Sequence, residues 1–203
     1  MSVKIIDKTS GSGVPLRGND IDTDRIIPAR FLKRVTFDGL GDHAFEDDIA
    51  ALKRQDKVHP FANPIYSKGA VLATNSNFGS GSSREHAPQS LMRWGIQAII
   101  AESYSEIFFG NCVSLGIPCF KVDSATAEKI LSWIEANPEG ELQTSVAERK
   151  LLMGGEEIVL ELADGPRGQF LDGSWNARAG LLRNLDQVRA VAEKLAYVNN
   201  YED

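Results

Sequence analysis

Residues 75–88 read NSNFGSGSSREHAP, a polar stretch of small residues between two apolar parts of the chain. The run before it, residues 70–74, is apolar and predicts a buried strand, and the pattern of residues 89–94 is helical. Gly79 and Gly81 allow positive φ and a close approach of the backbone to a neighbouring group. We therefore expect a strand, a polar loop and a helix in this order, with a pocket formed at the loop.

The start of the helix after this stretch has two interpretations. Ser82 and Glu85 have the spacing of a capping box, in which both side chains satisfy backbone N–H groups at the helix N-terminus. Pro88 fits comfortably only in the first turn of a helix. The helix is therefore expected to begin either near residue 83 or near residue 87.

Negative charge is favoured at this place in both interpretations. Backbone N–H groups, a helix N-terminus and the guanidinium of Arg84 would converge there. The charge would belong to a ligand or to a deprotonated serine. The spacing alone suits equally well an ordinary capped helix that follows a glycine turn.

Residues 77–88 resemble the signature of the swivelling domain of the aconitase superfamily. Two further stretches agree and come in the family's order: NDIDTDRIIPARFL at residues 19–32 and IIAESYSEIFFGN at residues 99–111. Ser80 is one departure, because many members carry cysteine there. The length of 203 residues resembles the family's free-standing small subunits. The resemblance implies an α/β fold, a swivelling β/β/α domain with a mixed sheet and flanking helices.

The resemblance also implies an activity and a partner. Isopropylmalate isomerases of this superfamily convert 2-isopropylmalate to 3-isopropylmalate by dehydration and rehydration in leucine biosynthesis. This chain would then be part of a heterodimeric hydro-lyase that binds a small dicarboxylate and is active only with its large subunit. That subunit would hold the [4Fe-4S] cluster, whose iron helps hydroxide to leave. Related hydro-lyases of the citraconate, dimethylmalate or homoaconitate type remain alternatives, as does a non-catalytic anion-binding module.

Roles for individual residues follow from the same resemblance. Ser82 would be the base, as an alkoxide stabilised by N–H groups and a guanidinium. Residues 30–41 alternate charged and apolar side chains and could select the substrate, or they form an ordinary mobile surface loop. His86 is expected to pack or hydrogen-bond rather than to catalyse. The expected site comprises the base Ser82, the substrate-binding residues Ser83, Arg84, Asp24, Arg30, Phe31, Leu32 and Lys33, and a backbone anion cradle at Gly79 and Gly81.

Potential metal ligands are few and scattered. The aspartates at residues 20, 22 and 24 lack the glycine that a calcium loop needs at its sixth position, so Asx-type turns are expected instead. The only two cysteines, Cys112 and Cys119, are too few for a [4Fe-4S] cluster, which takes about three or four thiolates. They are expected to be small buried residues. We expect this chain to bind no metal or cofactor itself.

The composition limits the class of protein. With 42% hydrophobic residues the chain can bury a core. The net charge of −6 argues against nucleic acid as a partner, so an acidic substrate must be bound by local arginines and N–H groups. The sequence contains no apolar run long enough for a membrane helix, and its first ten residues do not resemble a secretory signal. We therefore expect a cytoplasmic protein without a membrane partner.

The alternation of apolar segments between residues 70 and 136 predicts a parallel α/β unit. We expect a single domain over residues 1–203, with a core to about residue 165 and a helical extension from about residue 166. The other expected elements are strands at residues 3–6, 98–101, 117–122, 142–146 and 157–162, helices at 43–55, 104–115, 124–137 and 184–197, and turns at 9–13, 154–155 and 164–166.

Overall fold

The computed structural model describes residues 4–82 and 84–198. The strands within these residues are β1 (Lys8–Leu16), β2 (Val71–Thr74), β3 (Ala98–Ala101), β4 (Cys119–Lys121), β5 (Glu141–Ser145), β6 (Lys150–Met153) and β7 (Glu156–Val159). The helices are α1 (Thr23–Ile26), α2 (Glu46–Lys53), α3 (His86–Trp94), α4 (Glu106–Leu115), α5 (Ser124–Ala136), α6 (Asp164–Asp172), α7 (Ala177–Arg183) and α8 (Leu185–Ala192). The strands form one mixed sheet in the order β4-β3-β2-β1-β5-β6-β7.

Strand β1 joins the parallel part of the sheet to the antiparallel part. Its C-terminal half pairs parallel with β2, and its N-terminal half pairs antiparallel with β5. Strands β2, β3 and β4 are parallel, and β5, β6 and β7 are antiparallel. An antiparallel bridge between Lys121 and Glu161, with two N–H···O bonds of 2.9 Å, then connects the two ends of the sheet. The sheet is therefore curled, and its parallel strands end at one common edge.

Hydrophobic clusters cover both faces of the parallel strands. Successive side chains of a strand point to opposite faces. Val71 and Ala73 belong to the cluster beneath α5, together with Ile130, whereas Leu72 belongs to the cluster beneath α3, together with Leu91. All four residues of β2 are buried, as expected for a parallel strand covered on both sides.

The predicted α/β unit is confirmed, because β2, β3 and β4 alternate with α3, α4 and α5. The predicted first strand is wrong: residues 4–6 have no regular structure, and β1 runs through residues 9–13, which were expected to form a turn. Small residues occur in β1 because its neighbours lie close. A Cβ at Gly13 would come within 2.6 Å of the Ile134 side chain, so a larger residue does not fit there. The strand is therefore low in hydrophobicity although it is buried at this position.

The C-terminal part of the structure also corrects the sequence reading. Helix α6 begins at Asp164, where a turn was expected, and its Phe170 is fully buried in the core. The expected helix over residues 184–197 is present as α8 but ends at Ala192, and α7, which was not predicted, precedes it. Strand β6 was not predicted, and α5 has Asp123 as its N-cap, whose side chain accepts from Thr126 N–H. The boundary between a core and an extension near residue 165 stays a prediction.

Candidate active site

Two loops leave the carboxyl edge of the sheet side by side. One is the aspartate loop, residues 18–24, which follows β1, and the other is the serine loop, residues 75–85, which follows β2. At the base, Gly18 N–H donates to Asn75 Oδ1 over 2.9 Å. Asp20 N–H then donates to the Ser76 carbonyl over 3.0 Å. The parallel pairing of β1 with β2 thus continues beyond the ends of both strands.

The pairing of the two loops extends to the predicted base. Gly79 N–H donates to the Ile21 carbonyl over 2.8 Å, and Thr23 N–H donates to the Ser80 carbonyl over 2.9 Å. The hydroxyl of Thr23 donates to the Ser82 carbonyl over 2.9 Å. Thr23 is buried, while Ser82 is exposed. Ser82 therefore lies at the surface, while its backbone is held by the buried Thr23.

A third loop supports the serine loop from its other side. Phe78 N–H donates to the Ser103 carbonyl, and Ser105 N–H donates to the Phe78 carbonyl, each over 3.0 Å. The Phe78 ring is fully buried and meets the Phe108 ring edge-on at 5.2 Å. A Cβ at Gly79 would lie only 2.1 Å from the Phe108 ring. The loop after β3 and helix α4 therefore fix the depth of the serine loop.

Both glycines of the predicted cradle have positive φ, as expected: +75° at Gly79 and +89° at Gly81. Their backbone groups differ, however. The Gly79 N–H is bonded to the Ile21 carbonyl, so it is engaged within the protein. Gly81 is exposed, and its N–H is the better placed of the two for an external anion. The cradle itself stays a prediction.

Helix α3 begins at His86, which agrees with the later of the two expected starts. The capping box of Ser82 and Glu85 does not form. Glu85 is the N-cap residue, but its side chain makes no cap bond, and its carboxylate instead accepts from Gln89 Nε2 over 2.9 Å. Pro88 lies in the first turn, where its missing N–H costs nothing. Because no side chain of the described residues caps the N–H groups at the start of α3, that end keeps its preference for an anion.

Arg84 and Asp24 come together although they are 60 residues apart in the sequence. Arg84 Nη1 donates to Asp24 Oδ1, and the Arg84 side chain is 21% exposed, against 53% for Asp24. Among the described residues this bond uses Nη1 alone, so the other edge of the guanidinium can hold a second carboxylate. The structure thus gathers Ser82, Arg84 and Asp24 at one place, and Ser83 lies outside the described residues.

The other predicted substrate-binding residues lie in a separate segment. Arg30, Phe31, Leu32 and Lys33 form a 3₁₀ turn, Ala29–Lys33. No hydrogen bond or ring contact within residues 4–82 and 84–198 joins them to the serine loop.

Carboxylates at the start of α2 hold this 3₁₀ turn. Arg30 donates to Glu46 over 2.6 Å and to Asp47 over 2.8 and 2.9 Å. The Arg30 guanidinium holds the pKa values of both carboxyl groups below their ordinary range. Phe31 stacks on His43 with 4.1 Å between ring centroids. The turn is therefore anchored to α2 by exposed side chains.

The end of this segment approaches the serine loop through α3. Phe37 contacts the edge of the His86 ring at 5.0 Å, and its carbonyl accepts from Arg93 Nε over 2.7 Å. His86 Nε2 is buried without a hydrogen-bond partner among the described residues. His86 thus packs against Phe37, and residues 29–41 lie beside the helix that follows the serine loop.

Sequence reasoning missed one buried residue that ties the loops together. Asn75 is 9% exposed, and its Nδ2 donates to Glu102 over 3.1 Å and to Glu128 over 3.0 Å. Glu128 also accepts from Arg17 over 2.6 Å, and these two bonds lower the pKa of Glu128. Asn75 therefore connects the ends of β1, β2 and β3 with α5. The sequence signal that could have identified Asn75 is its position directly after a buried parallel strand.

The described residues do not fit an iron–sulfur cluster. Cys112 and Cys119 are both buried in the core beneath α3 and α4, and burial raises the pKa of the Cys112 thiol. No group of three or more histidine, cysteine, aspartate or glutamate residues in this part of the chain could hold a metal ion. Asp22 instead caps α1 by accepting from Arg25 N–H over 2.8 Å, which confirms its predicted turn role.

A groove of about 770 Å³ lies between β4 and the segment after β7, and no residue of the serine loop is in its lining. Its lining residues include Tyr104, Lys121, Arg149 and Val159.

Within the described ranges, no helix is both long and apolar enough to span a bilayer.

Comparison with known proteins identifies the family. A model of the aconitase C-terminal domain matches residues 3–124, and this match contains all three loops of the site. A curated relative from Synechocystis sp., the 3-isopropylmalate dehydratase small subunit, is 43% identical over 194 residues, which are 96% of each chain. The chain belongs to the 3-isopropylmalate dehydratase small-subunit family. The resemblance inferred from the three sequence stretches is thus confirmed.

A further relative and a solved structure agree with this result. A relative of the same name from Thermus thermophilus is 40% identical over 192 residues, covering 95% of this chain and 96% of the relative. The crystal structure of a 3-isopropylmalate dehydratase from Methanocaldococcus jannaschii shares the fold, with a TM-score of 0.62, 23% identity and coverage of 92% and 98%. The α/β class with a mixed, curled sheet is therefore confirmed.

Proposed function

We propose that this chain is the small subunit of a hydro-lyase that isomerises 2-isopropylmalate to 3-isopropylmalate in leucine biosynthesis. The observation that carries the proposal is the convergence of Ser82, Arg84 and Asp24 at the carboxyl edge of a family-matched sheet. Relatives at 40–43% identity over nearly the whole chain carry this name. The activity needs a large subunit, because the relatives are themselves named small subunits.

The roles of the residues follow from their chemistry. Ser82 acts as the base, and its alkoxide is stabilised by the N–H groups near the start of α3 and by the Arg84 guanidinium. Arg84 also binds a substrate carboxylate, while Asp24 holds its Nη1 and so orients the guanidinium. Ser83 contributes a further polar contact to the substrate. A positioned base contributes roughly 10²- to 10⁴-fold in rate.

The remaining assistance comes from the partner. A [4Fe-4S] cluster on the large subunit supplies the Lewis acid that helps hydroxide to leave. Two observations support this division: the described residues of this chain offer no ligand set, and Ser82 is exposed at a surface where another chain can close the site. We place the complex in the cytoplasm, where the free thiols of Cys112 and Cys119 would remain reduced.

Selection of the malate derivative is assigned to the segment 29–41. Its apolar side chains are suited to an isopropyl group, and it lies beside α3 through the contact of Phe37 with His86. Arg30 forms exposed ion pairs with Glu46 and Asp47. The contribution of this 3₁₀ turn to substrate binding therefore depends on how these ion pairs hold it. Citraconate, dimethylmalate and homoaconitate-type substrates are the alternatives to be compared in the same assay.

The test is reconstitution of the chain with the large subunit and an assay of turnover on the panel of malate derivatives. Ser82→Ala is expected to reduce turnover about 10²- to 10⁴-fold without loss of folding or partner binding. Ser114→Ala, on the exposed side of α4, is the control and should keep full activity. Near-normal turnover of the Ser82→Ala complex would rule out Ser82 as the base. A wild-type complex that binds anions but converts no substrate would favour the anion-binding module.

A further inference from the structure

Thr23 makes two hydrogen bonds that span Gly81. Its N–H donates to the Ser80 carbonyl and its hydroxyl to the Ser82 carbonyl, each over 2.9 Å. The carbonyls on both sides of Gly81 are thus held by one residue. Thr23 is 2% exposed, so both bonds are shielded from water.

Gly81 is the point at which the serine loop could otherwise rotate. It has a φ of +89° and is exposed, and a Cβ at this position would have only ordinary contacts at 3.4 Å and beyond. A glycine in open space restricts the backbone little. The direction of the next side chain, Ser82, therefore depends on what holds the carbonyls around Gly81.

Thr23 is itself held firmly. It is the first residue of α1, whose N-cap is Asp22, and its carbonyl accepts from Ile27 N–H over 3.0 Å. Ile26 and Ile27 are fully buried in the core beneath α3. The bonds of Thr23 thus connect the exposed loop around Ser82 to a buried part of the fold.

We propose that Thr23 is a positioning residue, whose hydroxyl fixes the backbone of Ser82 and thereby the direction of the catalytic hydroxyl. This inference rests on the proposed function, in which Ser82 is the base. The hydroxyl is the essential group, because valine has the same shape and keeps the backbone N–H but cannot donate to the Ser82 carbonyl. A misplacement of the reacting group by about 1 Å can cost roughly 10²-fold in rate.

The test compares Thr23→Val with Thr23→Ser in the complex with the large subunit. Thr23→Val should lower kcat about 10- to 100-fold while KM changes less than about threefold, because the substrate contacts of Arg84 remain. Thr23→Ser retains the donor and should restore kcat to within about threefold of the wild type. Thr126→Val, which removes a hydroxyl that donates to Asp123 over 2.7 Å at the start of α5, is the matched control and should keep full activity.

A second measurement does not depend on turnover. Amide hydrogen exchange at residue 23, whose buried N–H donates to the Ser80 carbonyl, should become about tenfold faster in Thr23→Val after correction for the intrinsic rate of valine, because the loop loses its second bond to this residue. A tenfold change corresponds to about 1.4 kcal/mol, and exchange at Gly79, whose N–H donates to the Ile21 carbonyl, should not change. Wild-type kcat in Thr23→Val, or equal losses in the valine and serine variants, would overturn the proposal. If the wild-type complex converts no malate derivative, the proposed function fails, and unchanged exchange at residue 23 in Thr23→Val would then refute the role of Thr23 separately.

Discussion

The serine loop and the segment 29–41 are both irregular, but they are held in different ways. Backbone hydrogen bonds to two neighbouring loops fix the serine loop, and the fully buried Phe78 anchors it in the core. In the segment 29–41, residues 29–35 are held mainly by exposed ion pairs and ring contacts and Val35 is 100% exposed, whereas Leu40 near its end is buried in the core. Because backbone bonds in a buried setting resist salt and exposed ion pairs do not, the first region suits catalysis and the second suits adaptation to a substrate.

The largest expected effect comes from a methyl group in the rigid region. Gly79→Ala should destabilise the protein by about 3 kcal/mol or more, because it combines a strained positive φ with a clash against the Phe108 ring. Gly81→Ala has a similar φ but only ordinary contacts, so it should cost about 1–2 kcal/mol. Denaturant unfolding of both variants measures the difference. Equal losses would show that packing against Phe108 does not fix the serine loop.

Acid should weaken the core on which both regions rest. His59 is 4% exposed, its ring packs against Phe45 and Phe61, and burial lowers the pKa of His59 to about 4. Its Nδ1 accepts from Phe61 N–H, which only the neutral ring can do. The folded protein therefore binds fewer protons at His59 than the unfolded chain. This stabilisation is complete above about pH 6.5, where an unperturbed histidine is neutral, and is lost as the pH falls through about 4.

The expected loss over this range is about 2–3 kcal/mol in the free energy of unfolding. His59→Asn is the matched variant, because Asn63 caps the next 3₁₀ turn through its side chain in the same manner. Unfolding in denaturant between pH 7 and pH 4 should show a smaller pH dependence for His59→Asn than for the wild type. The same dependence in both proteins would place the titrating group elsewhere.

A smaller effect is expected from the guanidinium at the site. Arg84→Lys should lower kcat/KM about 10- to 100-fold, because an ammonium cannot bind Asp24 and a substrate carboxylate with two aligned donors. Both a higher KM and a lower kcat are expected in the complex with the large subunit. Arg189→Lys on the exposed surface of α8 serves as the control. Unchanged kinetics would mean that Arg84 only pairs with Asp24 in the folded chain.

The order of elements around the serine loop was predictable because it depends on strong local signals. The apolar runs of β2 and β3 and the glycines of the loop indicated the α/β unit directly. Strand β1 was not predictable from hydrophobicity, because Gly13 lies against Ile134 and the close approach excludes larger side chains. The pattern of a single strand does not show how near a helix much later in the chain will pack.

The site was predictable in its membership but not in its connections. Ser82 and Arg84 stood out in the sequence, and Asp24 entered through the family resemblance. The bonds of Thr23 to the serine loop depend on the register between two loops that are far apart in the sequence. Glu85 has the spacing of a capping box with Ser82, yet it bonds to Gln89, because a nearby partner on the same helix competes for its carboxylate.

The smallest expected effect distinguishes the two regions directly. Exposed ion pairs contribute little to stability, so Arg30→Gln, or about 1 M salt at pH 7, should speed amide exchange in residues 30–37 by no more than about fivefold. Residues 78–80 of the serine loop should show no change, because their bonds join backbone groups. Arg30 keeps the pKa values of Glu46 and Asp47 below their ordinary range, so both carboxylates stay charged at pH 7. The salt experiment therefore measures screening of the ion pairs and no change in protonation. Equal acceleration of exchange in both regions would mean that the two regions open together. The segment 29–41 would then have no independent mobility with which to fit a substrate.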